Sequence, residues 1–327
     1  MASWHAVAES APRGHHGTFL VLACAVLITA GGPARGQKSP TPPISSADSA
    51  FAAADIPRAE SLYYMAVRTR PRDPVAREEL GGYLAKRGAS RIAAVLLEEA
   101  RMFGADPVAI AMQLAPVYES LGDWRALLSL PGAPLTVAQR RRAAWLMEHP
   151  QTSRADSTSL SLTGTVHADT LGRITIRIAG RPVVATIVAS DAGVIVGAHI
   201  AGMAAMRFAP DSATVVLDSI NIGAARLTMV PATVDPTVGG VIIGVSALRP
   251  MTIALDYVKR RAYLNQLRGT GRVIEIPFIR ERGELRVSQG TPPRWRSLAS
   301  VIAEAHTGRE SAPITIDLRV GELRIAY

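Results

Sequence analysis

The feature that most constrains the fold is a change in the spacing of apolar residues near residue 150 of the 327-residue chain. Before it, residues 50–148 carry helical periodicity, many alanines, and turn signals that recur every 33 to 34 residues. After it, segments such as Leu160–Val166 and Ile174–Ile178 alternate apolar and polar residues with period two. A helical period inside such a repeat predicts paired helices, whereas period two predicts half-buried strands. The sequence therefore predicts an α+β multidomain protein, a helical region followed by a β-rich domain.

The helical region, residues 50–148, contains an imperfect repeat. Asp-Pro-Val at 73–75 recurs at 106–108, and Gly88 recurs as Gly122. The pattern resembles tetratricopeptide repeats, with two repeats and a preceding half. That resemblance implies a groove that binds a peptide, while a structural spacer or a dimerisation arm stays open as the alternative. Because two repeats bury little core alone, we expect the region to pack on its neighbour.

The first 36 residues have the composition of an export signal. A short apolar run, Thr18–Ala30, is followed by small residues and by Ala34–Gly36, which fits a cleavage site. The run is shorter than the ~20 residues that a membrane span needs, so no stable span is expected after cleavage. An uncleaved anchor is the alternative. The leader therefore predicts an exported protein, periplasmic or extracellular. Cys24, the single cysteine, lies in this leader, so the mature protein is expected to have no disulfide.

Two segments read as linkers, and a small α/β extension ends the chain. The Pro- and Ser-rich residues 37–49 and the polar residues 149–159 are expected to be linkers. The extension comprises residues 268–327. Its expected strand, helix and hairpin lie at Val273–Phe278, Arg296–Ala305 and Ile314–Ile325, respectively.

Three stretches of the β-rich domain, residues 160–267, occur in the order found in one protease family. They are Ile178–Val188, Val216–Leu227 and Gly240–Leu248, the last of which contains the apolar-apolar-Gly pattern Ile242-Ile243-Gly244. Together they resemble retropepsin-like aspartic proteases. The resemblance implies a closed β-barrel, the acid protease fold, and a cleft that holds an extended peptide as a β-strand.

The resemblance also implies a chemistry. Two aspartates facing each other share one proton; one polarises the scissile carbonyl and the other activates a water. A chain with a single Asp-Thr/Ser-Gly motif supplies one aspartate, so an active site would form only in a homodimer. The glycine permits a tight turn, and the hydroxyl locks the loop.

The expected motif is degraded in this sequence. The family's catalytic aspartate lies about eight residues after the hairpin glycine; counting from Gly180 reaches Val188 or, with one residue of slack, Ala189. The nearby carboxylate is Asp191, which is the candidate catalytic residue. We interpret the protein as a catalytically degenerate, peptide- or protein-binding module. The alternative is an active homodimeric endopeptidase using Asp191.

If Asp191 is catalytic, it stands in Asp191-Ala192-Gly193, where Ala192 replaces the locking hydroxyl. Asp218 and Asp256 lie near the expected middle hairpin and a closing strand, and both are interpreted as structural.

Other site chemistries find little support in the sequence. The formal net charge is +9, and the densest run of positive charge is Arg140–Arg142. This run has no interleaved aromatic residues, so we interpret it as a solvated helix face rather than a nucleic-acid site. The histidines, including His199, show no metal-ligand spacing, and no phosphate loop or dinucleotide fingerprint occurs. No metal or cofactor is therefore expected, and His199 is interpreted as a surface residue of a helix.

Export with cleavage after Gly36 makes a direct prediction. Because the apolar run is short and small residues follow it, the mature chain should begin at Gln37. N-terminal sequencing of the secreted protein measures this, and a mature chain that still begins at Met1 would contradict it.

Overall fold

A computed structural model describes residues 43–326, apart from 155, 165, 168, 191, 205, 209–212, 250, 266–272, 282, 308–313 and 318–321. The expected leader and Asp191 lie outside the described residues.

Helices occupy the first part of the described chain, as the sequence predicts. The seven found there are α1 (Pro43–Ala52), α2 (Ile56–Thr69), α3 (Pro74–Lys86), α4 (Ser90–Met102), α5 (Pro107–Leu121), α6 (Trp124–Ser129) and α7 (Val137–Glu148). The two Asp-Pro pairs are helix starts. Asp73 accepts hydrogen bonds from Val75 N and Ala76 N, and Asp106 accepts from Val108 N and Ala109 N. Each proline occupies the first helical position, where its missing N–H costs nothing.

Small residues bring the helices close together. Ala93 and Ala100 of α4 are fully buried, and a Cβ added at Gly81 of α3 would lie 2.9 Å from Leu97 Cγ. One hydrophobic core joins buried residues from Ala47 to Ala143. The starts of α3 and α5 are 33 residues apart, which is the step seen in the sequence.

The predicted linker at 37–49 is wrong from Pro43 onward, because α1 begins there. Proline is tolerated in the first turn of a helix, so its presence did not indicate a loop. Ala47 is fully buried, Ala50 is nearly so, and Asp48 accepts a 2.6 Å hydrogen bond from Tyr63 Oη of α2. These contacts hold the segment against the helical core.

The β-rich part contains a closed barrel. Its strands are β3 (Thr170–Ile178), β4 (Arg181–Val188), β5 (Val194–Val196), β7 (Thr214–Ile222), β8 (Ala225–Val234) and β9 (Val241–Gly244). They are bonded in the order β8-β5-β9-β4-β3-β7, and β7 pairs with β8 to close the ring of six described strands. A short helix, α8 (Ala198–Met203), follows β5. The short strands β1 (Thr152–Arg154) and β6 (Met206–Phe208) extend the sheet on β8 and β7.

A second sheet joins the chain's end to the barrel. Its described strands are β2 (Thr158–Ser161), β10 (Thr252–Asp256), β11 (Arg261–Leu264), β12 (Val273–Glu281), β13 (Glu284–Gln289), β14 (Arg294–Ser297), β15 (Ile314–Asp317) and β16 (Glu322–Ala326). Their order is β14-β13-β12-β16-β15-β10-β11-β2. The last helix, α9 (Leu298–Thr307), packs near β13, β14 and β3.

The predicted linker at 149–159 is wrong in part, since it contains β1 and the start of β2. Thr152 pairs with Thr228, and Ser159 pairs with Tyr263. Local composition could not reveal strands whose hydrogen-bonding partners lie so far along the chain. The strand, helix and hairpin expected in the extension are confirmed as β12, α9 and the pair β15–β16.

The extension and the barrel share one hydrophobic core. Phe278, Leu298 and Ile302 from the extension are fully buried in the same cluster as Ile187 and Leu217 of the barrel. β10 and β11 pair with β15 and β2 rather than with a barrel strand. The extension therefore folds with the barrel as one unit.

The helical region docks on the extension, as expected from its small core. Arg87 Nη1 donates to Phe278 O at 2.7 Å, and Trp295 Nε1 donates to Phe51 O at 3.1 Å. The rings of Trp295 and Phe51 are 5.4 Å apart between centroids. Arg249, just after β9, donates to Ser120 O at 2.7 Å. None of the described helices has the length and apolar character needed to cross a membrane.

Trp295 offers a test of this docking. Trp295→Phe keeps ring packing but removes the N–H donor, and should lower the free energy of unfolding by about 0.5–1.5 kcal/mol. Trp295→Ala also removes the contact with Phe51 and should cost more, with faster hydrogen exchange of the α1 amides. Urea denaturation and native-state exchange measure both effects. Unchanged α1 protection in Trp295→Ala would contradict the docking.

Candidate functional site

The connection between β4 and β5 passes over the end of β9. β9 lies between these two strands, parallel to β4, with Val188 opposite Gly244, and antiparallel to β5. Gly244 N donates to Gly193 O at 2.7 Å. A Cβ added at Gly244 would lie 2.9 Å from Ser190 O and 3.0 Å from Ala192 N, so the loop can close only over a glycine. The structure thus brings together the first and third stretches that carry the family resemblance.

The described residues of this loop present no carboxylate. Asp191, the predicted catalytic residue, lies outside the described residues. Val188 and Ala189 are each 7% exposed, and Ala189 N donates to Asp169 O at 2.8 Å. The two positions at which the count from Gly180 places a catalytic aspartate are therefore occupied by buried apolar side chains.

The remaining loop residues turn the chain towards β5. Ala192 is exposed, and its N–H lies 3.4 Å from Ser190 Oγ. Gly193 has a φ of 69°, a left-handed conformation that favours glycine. The hydroxyl of Ser190 thus lies within the loop, where it can stabilise the turn.

The extension reaches this loop. Ser190 forms an antiparallel bridge with Glu284, the first residue of β13. The extension therefore contacts the β4–β5 loop at Ser190. The sequence analysis did not anticipate this contact, and no local pattern relates two residues 94 positions apart.

The other two aspartates considered from the sequence lie elsewhere. Asp256, at the end of β10, is 3% exposed and accepts a hydrogen bond from Lys259 N at 2.8 Å, which holds the turn into β11. Asp218 lies on β7 and is exposed. Within the described ranges, no cluster of His, Cys, Asp and Glu side chains could hold a metal ion.

A groove of about 640 Å³ runs over the outer face of β4 and β9. Its lining comes from five parts of the chain: β3, β4, α8, the segment that leads into β9, and β9 itself. The lining residues are Arg173, Val183, Val184, Thr186, His199, Ile200, Thr237, Val238, Gly239, Gly240, Val241 and Ile242. The volume falls in the range of about 300–1,000 Å³ that is typical of ligand sites. His199 is an exposed residue of α8, as the sequence analysis interprets it, and it also lines this groove.

The wall formed by residues 235–240 is held firmly. Thr237 N and Thr237 Oγ1 both donate to Asp235 Oδ1, at 2.8 and 2.6 Å. These hydrogen bonds hold the pKa of Asp235 below its usual value, and the bond from the Thr237 side chain has the larger effect. Gly197 N donates to Gly240 O at 2.9 Å, and a Cβ at Gly197 would overlap Val238 O. The wall therefore has one fixed position against α8.

Sequence reasoning missed Arg173 and Thr186 as groove residues. The period-two alternation of β3 places Arg173 on the outer face with Thr175 and Arg177, and all three are exposed. That signal identifies the face of the strand. It does not show that β4, β9 and α8 form a groove beside it.

Comparisons with known proteins find similarity in structure. No protein-family model and no curated protein matches the chain. Among solved structures, the chain is similar to a retropepsin-like aspartic protease from Rickettsia conorii. The identity is 10%, the match covers 35% of this chain and 94% of that chain, and the TM-score is 0.25.

Gly244→Ala tests the closure of the loop over β9. Because the added methyl would meet backbone atoms of residues 190–193, the substitution should lower the free energy of unfolding by about 1–3 kcal/mol. Gly202→Ala in α8 is the matched control. Its Cβ meets nothing within 4 Å, and a helical Gly→Ala change should be neutral or stabilising by up to about 1 kcal/mol. Equal urea midpoints for the two variants would refute the close approach.

Proposed function

We propose that this protein is an exported member of the retropepsin-like aspartic protease family that no longer cleaves peptides and instead binds an extended peptide or protein ligand. The observation that carries the proposal is a formed groove along β4 and β9 beside a loop in which Val188 and Ala189 are buried. The closed barrel, the position of β9 between β4 and β5, and the resemblance of the three stretches support the family assignment.

Loss of catalysis follows from the chemistry that the family requires. Neither valine nor alanine can hold or activate a water, and general acid–base help of about 10²–10⁴-fold would be absent. The bridge between Ser190 and Glu284 supports the same conclusion, because it places the extension of the same chain beside the loop at which an active homodimer would need its partner. Peptide binding does not depend on the aspartates, since a groove recognises a strand through its backbone and side-chain pockets.

We also propose that the helical region is built of tetratricopeptide-like units and serves as a second ligand surface. The 33-residue step between α3 and α5 and their matching aspartate caps support this. α4 and α5 expose apolar side chains, among them Ile92, Val95 and Met112, each more than half exposed. The spacer role remains the alternative, and the docking of α1 and α3 on the extension is the observation that favours it.

A peptidase assay separates this proposal from an active homodimer that uses Asp191. The purified mature protein should cleave no member of a peptide library between acid and neutral pH, and Asp191→Asn should behave identically. Cleavage by the wild type that is lost in Asp191→Asn, falls on dilution and is blocked by a statine-type transition-state mimic would establish the enzyme.

Binding in the groove has its own test. A Cβ at Gly239 meets nothing within 4 Å, although Gly239 lines the groove, so Gly239→Leu should fill the groove without disturbing the fold. We expect library peptides that the wild type retains to bind at least about tenfold more weakly to this variant. Gly202→Leu, where the added side chain also starts in open space, is the control and should bind as the wild type does. Equal binding by all three proteins would place the ligand elsewhere.

A further inference from the structure

The groove carries an uneven charge. Among its lining residues, Arg173 has the one permanent charge, and none is an aspartate or glutamate. The Arg173 side chain is exposed and makes no hydrogen bond or ion pair within the described part of the protein. Its backbone is fixed, since Arg173 N donates to Thr163 O at 2.8 Å and Thr163 N donates to Arg173 O at 2.9 Å. A positioned guanidinium thus stands at the groove with its donors available.

The strand register places a charged, a polar and an apolar side chain in one row across the sheet. Arg173 of β3 is opposite Thr186 of β4, and Thr186 is opposite Ile242 of β9. Paired residues on neighbouring strands point to the same face. Strands lie about 4.8 Å apart, so this row runs from a cation through a hydroxyl to an apolar side chain over about 10 Å.

The adjacent row leaves room for an apolar group. It contains Val184, which is 56% exposed, and beyond it Gly240, which has no side chain. A side chain lying over Gly240 would be flanked by Val184 and Ile242. Gly240 lies two strands from Arg173 and one row further along, so a ligand whose carboxylate meets Arg173 can direct an apolar side chain towards Gly240.

We propose that the groove recognises a carboxylate attached to an apolar peptide end, with the C-terminal residue of the ligand as its source. Arg173 forms a two-pronged ion pair with the carboxylate, and Thr186 Oγ1 donates a further hydrogen bond. Val184 and Ile242 hold the apolar side chain, while His199 is available to the preceding backbone on the α8 side. This inference rests on the proposed peptide-binding function and specifies the ligand for the same groove.

Three labelled probes test the source of the carboxylate. The first is fluorescein-labelled Ala-Ala-Val-Leu with a free C-terminal carboxylate, the second is its C-terminal amide, and the third is the amide of Ala-Ala-Val-Glu. The wild-type full chain should bind the free acid at least about tenfold more tightly than the amide. Tight binding of the glutamate amide, together with the free acid, would support carboxylate recognition but overturn the requirement for a chain end.

Arg173→Gln should remove the preference for the free acid over the amide. Arg173→Lys should retain part of this preference, because lysine keeps the positive charge but lacks the planar fork of the guanidinium. Arg177→Gln is the matched control. Arg177 lies two residues along the same exposed face of β3, outside the groove lining, and donates to Gly180 O at 3.0 Å. Circular dichroism checks that all variants fold.

The outcomes separate the two hypotheses. Equal binding of acid and amide to the wild type, or an acid preference that survives in Arg173→Gln, would overturn carboxylate recognition and leave peptide binding intact. Failure of these probes together with failure of every library peptide would overturn the proposed function itself.

Discussion

The contact between Gly244 and the β4–β5 loop determines much of this architecture. β9 reaches its place only by passing between two strands that are neighbours in sequence, and the loop that joins them must then cross its end. A side chain at Gly244 would meet the backbone of that loop. The pairing of β9 with β4 and the loop joins residues about 50 positions apart. It therefore depends on the apolar character of β4 and β9 rather than on the secondary-structure preference of neighbouring residues. The groove exists because the same insertion sets the outer faces of β4 and β9 side by side.

The extension introduces a second constraint. It contributes Phe278 and Leu298 to the barrel's core and places Glu284 opposite Ser190. It also docks the helical region, through Arg87 and Trp295, and completes one sheet with β10 and β11. Phe278 takes part in two of these roles, because its side chain is buried in the barrel's core and its carbonyl accepts the hydrogen bond from Arg87.

Much of the fold could be predicted because its signals are local. The aspartate caps at Asp73 and Asp106 and the period-two alternation of β3 each depend on a few neighbouring residues. The errors arose where the deciding contact was distant. The start of α1 at Pro43 depends on packing against α2, and β1 and β2 depend on strands far along the chain. The groove could not be predicted for the same reason: Arg173 reads as an ordinary surface residue until β4, β9 and α8 are placed around it.

Position along β4 separates the proposed binding groove from the β4–β5 loop. A carboxylate at position 188 or 189 would be almost fully buried, and burying a charge without a partner is costly unless its pKa rises. Val188 and Ala189 instead bury apolar side chains at these two positions, which carries no such cost. The groove lies further back along the same strand, at Val184 and Thr186, which precede Val188 by four and two residues, and none of its lining residues belongs to the loop.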